Sequence, residues 1–388
     1  MYEQEFDRLL DYCRQEAWQG YDPYDGLNSS IYPLMPDSKL LRIALIQLVK
    51  RSPINLRPIL GIEKGENPKG LALFVRALLS AYQTTKSDKY RRDAEELLER
   101  LWSLRSPGYD DRMCWGYNFD WQSRAFFVPK ATPSIVCTTF VAQAWLDHYQ
   151  LFNEESSLQA ARSACDFLLQ DLHRSQEEDG SFCFSYTPLD KSQVHNANLL
   201  GAELLARVAK FTHEVELIEI AVKSARFTIA KQSKDGSWPY GTAENQTWID
   251  NFHTGFNLVC LSRIIKQSGS SDWQNVLKSG LDFYLKTFFL NDGTPKYYHN
   301  KTYPIDIHSA AQAIVTFVYL KDLIPDAKSR IEQVTKWTLA NMLDKEGFFY
   351  FQKDMFLTNK ISYLRWSQAW MAYALALATY GEIKESAS

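Results

Sequence analysis

The chain has 388 residues and a formal net charge of -3, so it lacks the basic excess that would point to nucleic acid. It contains no apolar run of about 18 residues, which excludes a membrane-spanning helix. Aromatic residues reach 14%, and their places along the chain decide whether they fill a core or line a surface for flat ligands such as sugars.

The N-terminal stretch MYEQEFDRLLDYCRQ is charged and amphipathic, unlike the apolar core of a signal peptide, so a cytoplasmic location is expected. An irregular stretch over roughly residues 18–37 follows and holds GYDPYDGLNS. Next comes the helix-length run KLLRIALIQLVKR, where Lys50, Arg51 and the nearby Arg57 read as a solvated helix end. KGLALFVRALLSAY reads as a helix buried on most sides. YRRDAEELLERLWSL reads as its one-sided partner, with apolar residues at spacings of three and four. A second irregular stretch, roughly residues 106–131, carries MCWGYNFDWQSRAFFVPK; segments this long inside a compact domain are usually functional. PSIVCTTFVAQAWLDHY and SLQAARSACDFLLQDLH then repeat the order of buried run followed by amphipathic run.

From there the alternation is punctuated by a recurring turn. EEDGSFCFSY, SKDGSWPYG, NDGTPKYYH and DKEGFFYFQ share an acidic residue before a glycine and aromatics after it. Their glycines, Gly180, Gly236, Gly293 and Gly347, lie 56, 57 and 54 residues apart. Such a turn leads into a short extended piece. After each comes a buried helical run: HNANLLGAELLARVAK, FHTGFNLVCLSRIIK, IHSAAQAIVTFVYLKD and RWSQAWMAYALALATY. Six buried runs and six or seven amphipathic ones predict an all-α (α/α)6 toroid, with an inner ring wrapped by an outer one. No linker interrupts residues 1–388, so a single domain is expected, with residues 1–37 supplying a helix and a loop to the cavity mouth. Cys13, Cys114, Cys137, Cys165, Cys183 and Cys260 are scattered without a CxxC pair and read as free buried thiols.

In such a ring the first turn of each inner helix faces the central hollow. His195, His253 and His308 stand there at intervals of 58 and 55 residues, with Arg365 and Trp366 in the matching place of the last repeat. One turn further, Asn198, Asn257, Gln312 and Gln368 form a polar stripe that suggests a wet cavity. Asp250 and Asp306 precede two of the histidines and serve either as helix caps or as acid and base. These two carboxylates with His253 and His308 are the candidate catalytic groups. Candidate substrate contacts are Tyr21, Asp22, Tyr24 and Asp25 from the first irregular stretch. The second contributes Trp115, Tyr117, Asp120 and Trp121, with Arg124 and Lys130 beside them. Trp238, Tyr240 and Trp248 come from the turns. The histidine and aspartate spacings match no metal signature, so neither a metal nor another cofactor is expected.

The strings QSKDGSW and QEEDGSF resemble the glutamine–tryptophan repeats of squalene cyclases and prenyltransferase-type toroids, which implies the fold; the DxDD acid motif of the cyclases is absent. Over nearly the whole chain, GYDPYDGLNS, KRSPINLRP, CWGYNFDWQSR, HNANLLGAELL, DGSWPYG and WIDNFHTGFNL resemble a family of bacterial proteins found with exopolysaccharide and capsule biosynthesis genes. That resemblance implies an oligosaccharide or polysaccharide precursor as ligand and other exopolysaccharide-assembly proteins as candidate partners. Three functions are open at this point. The first is a carbohydrate-active enzyme. As a glycoside hydrolase it would use Asp250 and Asp306, whose separation sets the stereochemistry. As a uronate lyase or epimerase it would use His253 or His308 with a Tyr, while Arg365 holds the substrate's acid group. The second is a non-catalytic glycan-binding or assembly protein, and the third a prenyl- or terpenoid-binding toroid.

Overall fold

A computed structural model describes residues 1–109, 111–122 and 127–383. Thirteen α-helices occur among these residues, in chain order α1 (Glu3–Gln15), α2 (Lys39–Arg51), α3 (Pro68–Thr85), α4 (Asp88–Ser103), α5 (Ile135–Phe152), α6 (Glu155–Gln170), α7 (His195–Thr212), α8 (Val215–Ala230), α9 (Asn251–Ser268), α10 (Gln274–Thr287), α11 (Ile307–Tyr319), α12 (Ala327–Met342) and α13 (Trp370–Tyr380). A wide π-type turn over Leu364–Ala369 leads into α13. The strands are two or three residues long: β1 (Trp121–Gln122) pairs with β2 (Phe127–Val128), β3 (Arg174–Gln176) with β4 (Phe182–Phe184), and β5 (Ile305–Asp306) with β6 (Gln352–Lys353), which also pairs with β7 (Thr358–Asn359).

The inner ring is α3, α5, α7, α9, α11 and α13, each packed on the next, and it closes where α13 meets α3. Burial separates the two rings as the composition predicts. In α3 every residue from Pro68 to Ala81 is buried, whereas α4 buries only Tyr90, Ala94, Leu97, Leu98 and Leu101, one stripe of a helix. Four inner helices, α3, α5, α7 and α9, are each 18 residues long and end on a left-handed residue: Lys86, Asn153, His213 and Gly269. The outer partner of α13 is α1, the first helix packing on the last; Phe6 packs edge-on against Tyr380 at 5.8 Å.

The repeated turns form as the sequence suggests. Gly236 has φ +90°, and a Cβ there would lie 2.3 Å from the Ser279 carbonyl oxygen, so this position admits only glycine. Asp179, Asp235 and Asp292 each accept a hydrogen bond from a backbone N–H two residues on, which fixes the turn.

Two expectations change. Helix α2 belongs to neither ring: it lies with the Asp25–Asn28 turn and β1 on a separate apolar cluster of Leu27, Leu45, Ile46, Val49 and Ile62 beside the cavity mouth. Arg57 is not solvated. It is fully buried and bonds to Asp25 Oδ1 and Oδ2 (2.8 and 3.0 Å), the Asp22 carbonyl (2.6 Å) and Tyr363 Oη (3.0 Å), pinning the 18–37 stretch to the start of the last repeat. All six cysteines are free and buried, and no helix among the described residues is long and apolar enough to cross a membrane.

Candidate active site

The N-terminal ends of the inner helices surround a cavity of about 750 Å³, within the size range of small-molecule sites. The second residue of every inner helix lies on its wall: Lys69, Val136, Asn196, Phe252, His308 and, in the turn before α13, Arg365. This register sorts the sequence candidates. One residue along a helix is about 100° of rotation. His308 is second in its helix and His253 third, and both reach the cavity. His195 is first and turns away, lying buried near Phe227 of α8 with neither ring nitrogen hydrogen-bonded among the described residues. Burial lowers its pKa to about 4. The neighbouring Asn196 takes the cavity position instead.

Of the other candidates, Tyr24, Tyr117, Trp121, Tyr240, Trp248, Arg365 and Trp366 line the cavity with His253 and His308. Tyr240 and Trp248 stack at 4.4 Å and 15°, and the His253 ring lies 4.6 Å from Tyr240. The 18–37 loop thus contributes Tyr24 to the mouth.

The remaining candidates do structural work. Trp115 and Trp238 are buried, their indoles donating to the carbonyls of Leu101 (2.6 Å) and Thr228 (2.9 Å). Asp22 is bidentate to Arg365 (2.5 and 2.8 Å), and Asp25 is held by Arg57. Tyr21 borders a separate groove with Tyr12 and Lys64, and Asp120 accepts from the Lys130 backbone N–H. Arg124 lies outside the described residues. The polar stripe is below the cavity floor, not in it. Asn198 ties α7 to Phe184 N (2.9 Å) and to Ser224 and Thr228 of α8. Gln368 grips both backbone groups of Phe349, Gln312 bonds to Thr316, and Asn257 is buried off the cavity wall.

Both catalytic carboxylate candidates sit behind the wall. Asp306 is fully buried and accepts from His308 N (2.8 Å), Trp366 Nε1 (2.9 Å) and Gln352 Nε2 (2.6 Å). Burial raises its pKa to about 6 against the lowering effect of these bonds. Asp250 caps α9 through Oδ1, which accepts from His253 N at 3.0 Å. Its Oδ2 accepts from Trp248 Nε1 (3.0 Å) and from His253 Nδ1 (2.7 Å). A carboxylate can only accept, so His253 Nδ1 carries a hydrogen, and Nε2, on a ring that is 20% exposed, has no hydrogen-bond partner among the described residues.

His308 differs. Its ring stacks with Phe252 (4.3 Å, 9°) and Trp370 (4.6 Å, 30°), and neither nitrogen has a hydrogen-bond partner among the described residues. Burial, with Lys69 and Arg365 nearby, holds its pKa well below the usual imidazole value, so it is neutral. Tyr186 bonds to Tyr117 Oη at 3.1 Å, and burial keeps both phenols protonated. Among the described residues, no three of His, Cys, Asp and Glu come together as metal ligands.

Sequence reasoning missed Lys69, Asn196, Tyr186, Phe252, Tyr297 and Tyr298, all on the wall. Aligning the repeats on their helix caps, Asn67, Ser134, Asp250 and Asp306, would have exposed the second-residue register; aligning on histidines did not. A larger hollow of about 1070 Å³ opens at the opposite end of the ring, beside Glu203, Arg207, Arg263 and the chain segment Gly381–Ile383, with no histidine on its wall.

A family model described as pectic acid lyase matches residues 223–342, a stretch that includes Asp250, His253, Asp306 and His308. No curated protein matches the chain. Among solved structures, the chain is similar to cellobiose 2-epimerase from Bacillus thermoamylovorans, with a TM-score of 0.65 at 13% identity, covering 82% of this chain and 90% of that one. It is also similar to an α-mannanase from Bacteroides thetaiotaomicron, with a TM-score of 0.62 at 14% identity, covering 81% and 86%. A third likeness, to UGL with dGlcA-Glc-Rha-Glc, has a TM-score of 0.62 at 12% identity and spans 100% of both chains. These likenesses establish the α/α toroid.

Proposed function

We propose that the chain is a carbohydrate-active enzyme that binds a glycan in the central cavity and moves a proton on it through His253. The observation that carries this reading is the Asp250–His253 pair. A fully buried carboxylate, itself held by an indole and a helix N-terminus, fixes the imidazole tautomer and stabilises the imidazolium that forms when Nε2 takes a proton. Trp121, Tyr240, Trp248 and Trp366 offer flat faces to sugar rings, and the tyrosine hydroxyls offer donors to sugar oxygens.

Lyase or epimerase chemistry fits this wall better than hydrolysis. A glycosidase brings two carboxyl groups to the glycosidic bond, whereas Asp250 and Asp306 both spend their oxygens inside the protein. The pectic acid lyase match over α9 and the likeness to an epimerase support the same direction. Lys69, Asn196 and Arg365 on the wall argue against a prenyl ligand. The resemblance to proteins of exopolysaccharide and capsule gene clusters supports a substrate drawn from the precursors of those polymers, and a cytoplasmic location belongs to the same proposal.

The test is to compare wild type with His253→Ala and His253→Gln on uronic and neutral oligosaccharides, following deuterium uptake from heavy water and the appearance of unsaturated product. Turnover in wild type that both variants lose supports the reading. Full turnover in either variant rejects it, and binding without turnover in wild type leaves only the glycan-binding function.

A further inference from the structure

Arg365, the residue expected to meet an acid group, already has one: two of its nitrogens are committed to Asp22. The buried cation of the cavity wall without a counterion among the described residues is Lys69. It is the second residue of α3, 4% exposed, and its ammonium lies 4.4 Å from the ring centre of Phe140, 5.3 Å from that of Trp370 and 5.5 Å from that of Phe256. No hydrogen bond or ion pair reaches it among the described residues. The only described carboxylate on the cavity wall is Glu244, in an exposed turn at the rim. Beside Lys69, the buried ring nitrogens of His308 and the buried Oδ1 of Asn196 also lack partners. Buried polar groups are normally satisfied, and a buried ammonium left alone costs far more than a buried amide.

We infer that Lys69 is the recognition residue for a carboxylate on the substrate, so that the cavity takes an acidic sugar: the carboxylate sits on the Lys69 ammonium with the neutral His308 as a second donor, and Asn196 Oδ1 accepts from a sugar hydroxyl. The N-termini of the inner helices, which converge on this cavity, add a weak field of the same sign. A neutral sugar would leave the ammonium uncompensated. This inference rests on the cavity being the carbohydrate site, but it concerns binding and not turnover.

The charge on Lys69 is itself conditional. Burial, and then the Arg365 guanidinium, depress its pKa to about 7, against Cys137 of α5 and Asp22 of the N-terminal loop, which raise it. His308 of α11 also lies within reach of its charge, and Tyr117 of the 106–131 stretch and His253 of α9 share the cavity wall with it. A bound carboxylate favours the ammonium, so binding above neutrality takes up a proton.

The experiment is calorimetric titration of the full chain with D-glucuronate, D-galacturonate and D-mannuronate against glucose, galactose and mannose, at pH 6 and 8, in two buffers of different ionisation enthalpy. One acidic sugar is expected to bind at least about tenfold tighter than its neutral counterpart. Its affinity should fall about tenfold from pH 6 to pH 8, as the protonated fraction of a group near pH 7 does, with proton uptake at pH 8. Lys69→Met should remove both the preference and the uptake while raising Tm, because an unpaired buried charge has gone. Lys69→Arg should restore the preference without the pH dependence, since arginine does not deprotonate. A lysine with only a structural role would lower Tm when replaced by Met. Absence of an acid preference, its survival in Lys69→Met, or tighter binding of the corresponding sugar phosphate overturns the inference. Acid-selective binding without turnover in any His253 background would overturn the enzymatic reading and leave this one standing.

Discussion

Replacing Asp250 by Asn isolates the element on which the proposed chemistry depends. Asparagine is nearly as good a helix cap as aspartate, so the bond from His253 N to the position of Oδ1 survives. At the position of Oδ2, an acceptor of two bonds becomes an NH2 group facing Trp248 Nε1–H and His253 Nδ1. The indole loses its acceptor, and the imidazole must either rotate or move its proton to Nε2, which removes the free nitrogen from the cavity. Leaving these buried groups mispaired costs about 1–3 kcal/mol of folding stability, readable as a lower urea midpoint without a change in m. The loss in catalysis should be larger. A general base held in the wrong tautomer forfeits roughly 10²–10⁴-fold in kcat, about 3–5 kcal/mol of barrier, with KM little changed because Asp250 does not touch the cavity. The assay is the deuterium-uptake or unsaturated-product measurement on the best acidic oligosaccharide, with kcat and KM separated. Wild-type kcat in a folded Asp250→Asn protein would refute the assignment of the base and the argument from tautomers.

Asp306→Asn is the control: its three bonds make it a structural anchor, so stability should drop by about 1–3 kcal/mol while kcat stays within a few-fold of wild type, and a thousandfold kcat loss would return Asp306 to the catalytic set. Asp22→Ala leaves the Arg365 guanidinium buried and unpaired; breaking such a pair costs about 3–5 kcal/mol, measurable by urea unfolding at pH 7. His195→Phe addresses pH. The folded-state pKa of His195 is depressed to about 4, so between pH 4 and 6.5 the unfolded chain binds the extra proton and stability rises with pH, by up to about 3 kcal/mol from this group. The variant should flatten that rise, and an unchanged slope in thermal melts would show His195 to be hydrated. Lys69 acts in a higher window by the same sign. Its depressed pKa makes wild-type stability rise from about pH 7 to the unfolded lysine value, so the Tm advantage of Lys69→Met should be largest below pH 7 and shrink above it.

The sequence alone determined the ring. Apolar content around whole helices against one-sided stripes, and acidic-Gly turns every 54 to 57 residues, leave few ways to bury six inner runs except by closing them on each other, because each hairpin's apolar face needs a neighbour. Local chemistry also made the Asp250 and Asp306 caps legible, since a cap bonds within its own first turn. What only the tertiary structure decided was which side chains face the cavity. One residue of helical phase separates the buried His195 from the cavity-facing Asn196, and that phase is set where each cap falls. Asp22 and Arg365 lie 343 residues apart in the chain, so no local pattern reveals that the expected acid-binding arginine is already neutralised. Nothing in the sequence singles out Lys69, the first residue of the buried run KGLALFVRALLSAY. Its isolation is a property of the closed ring, in which α5, α9 and α13 bring three aromatic faces around one ammonium, with no ion-pair partner among the described residues.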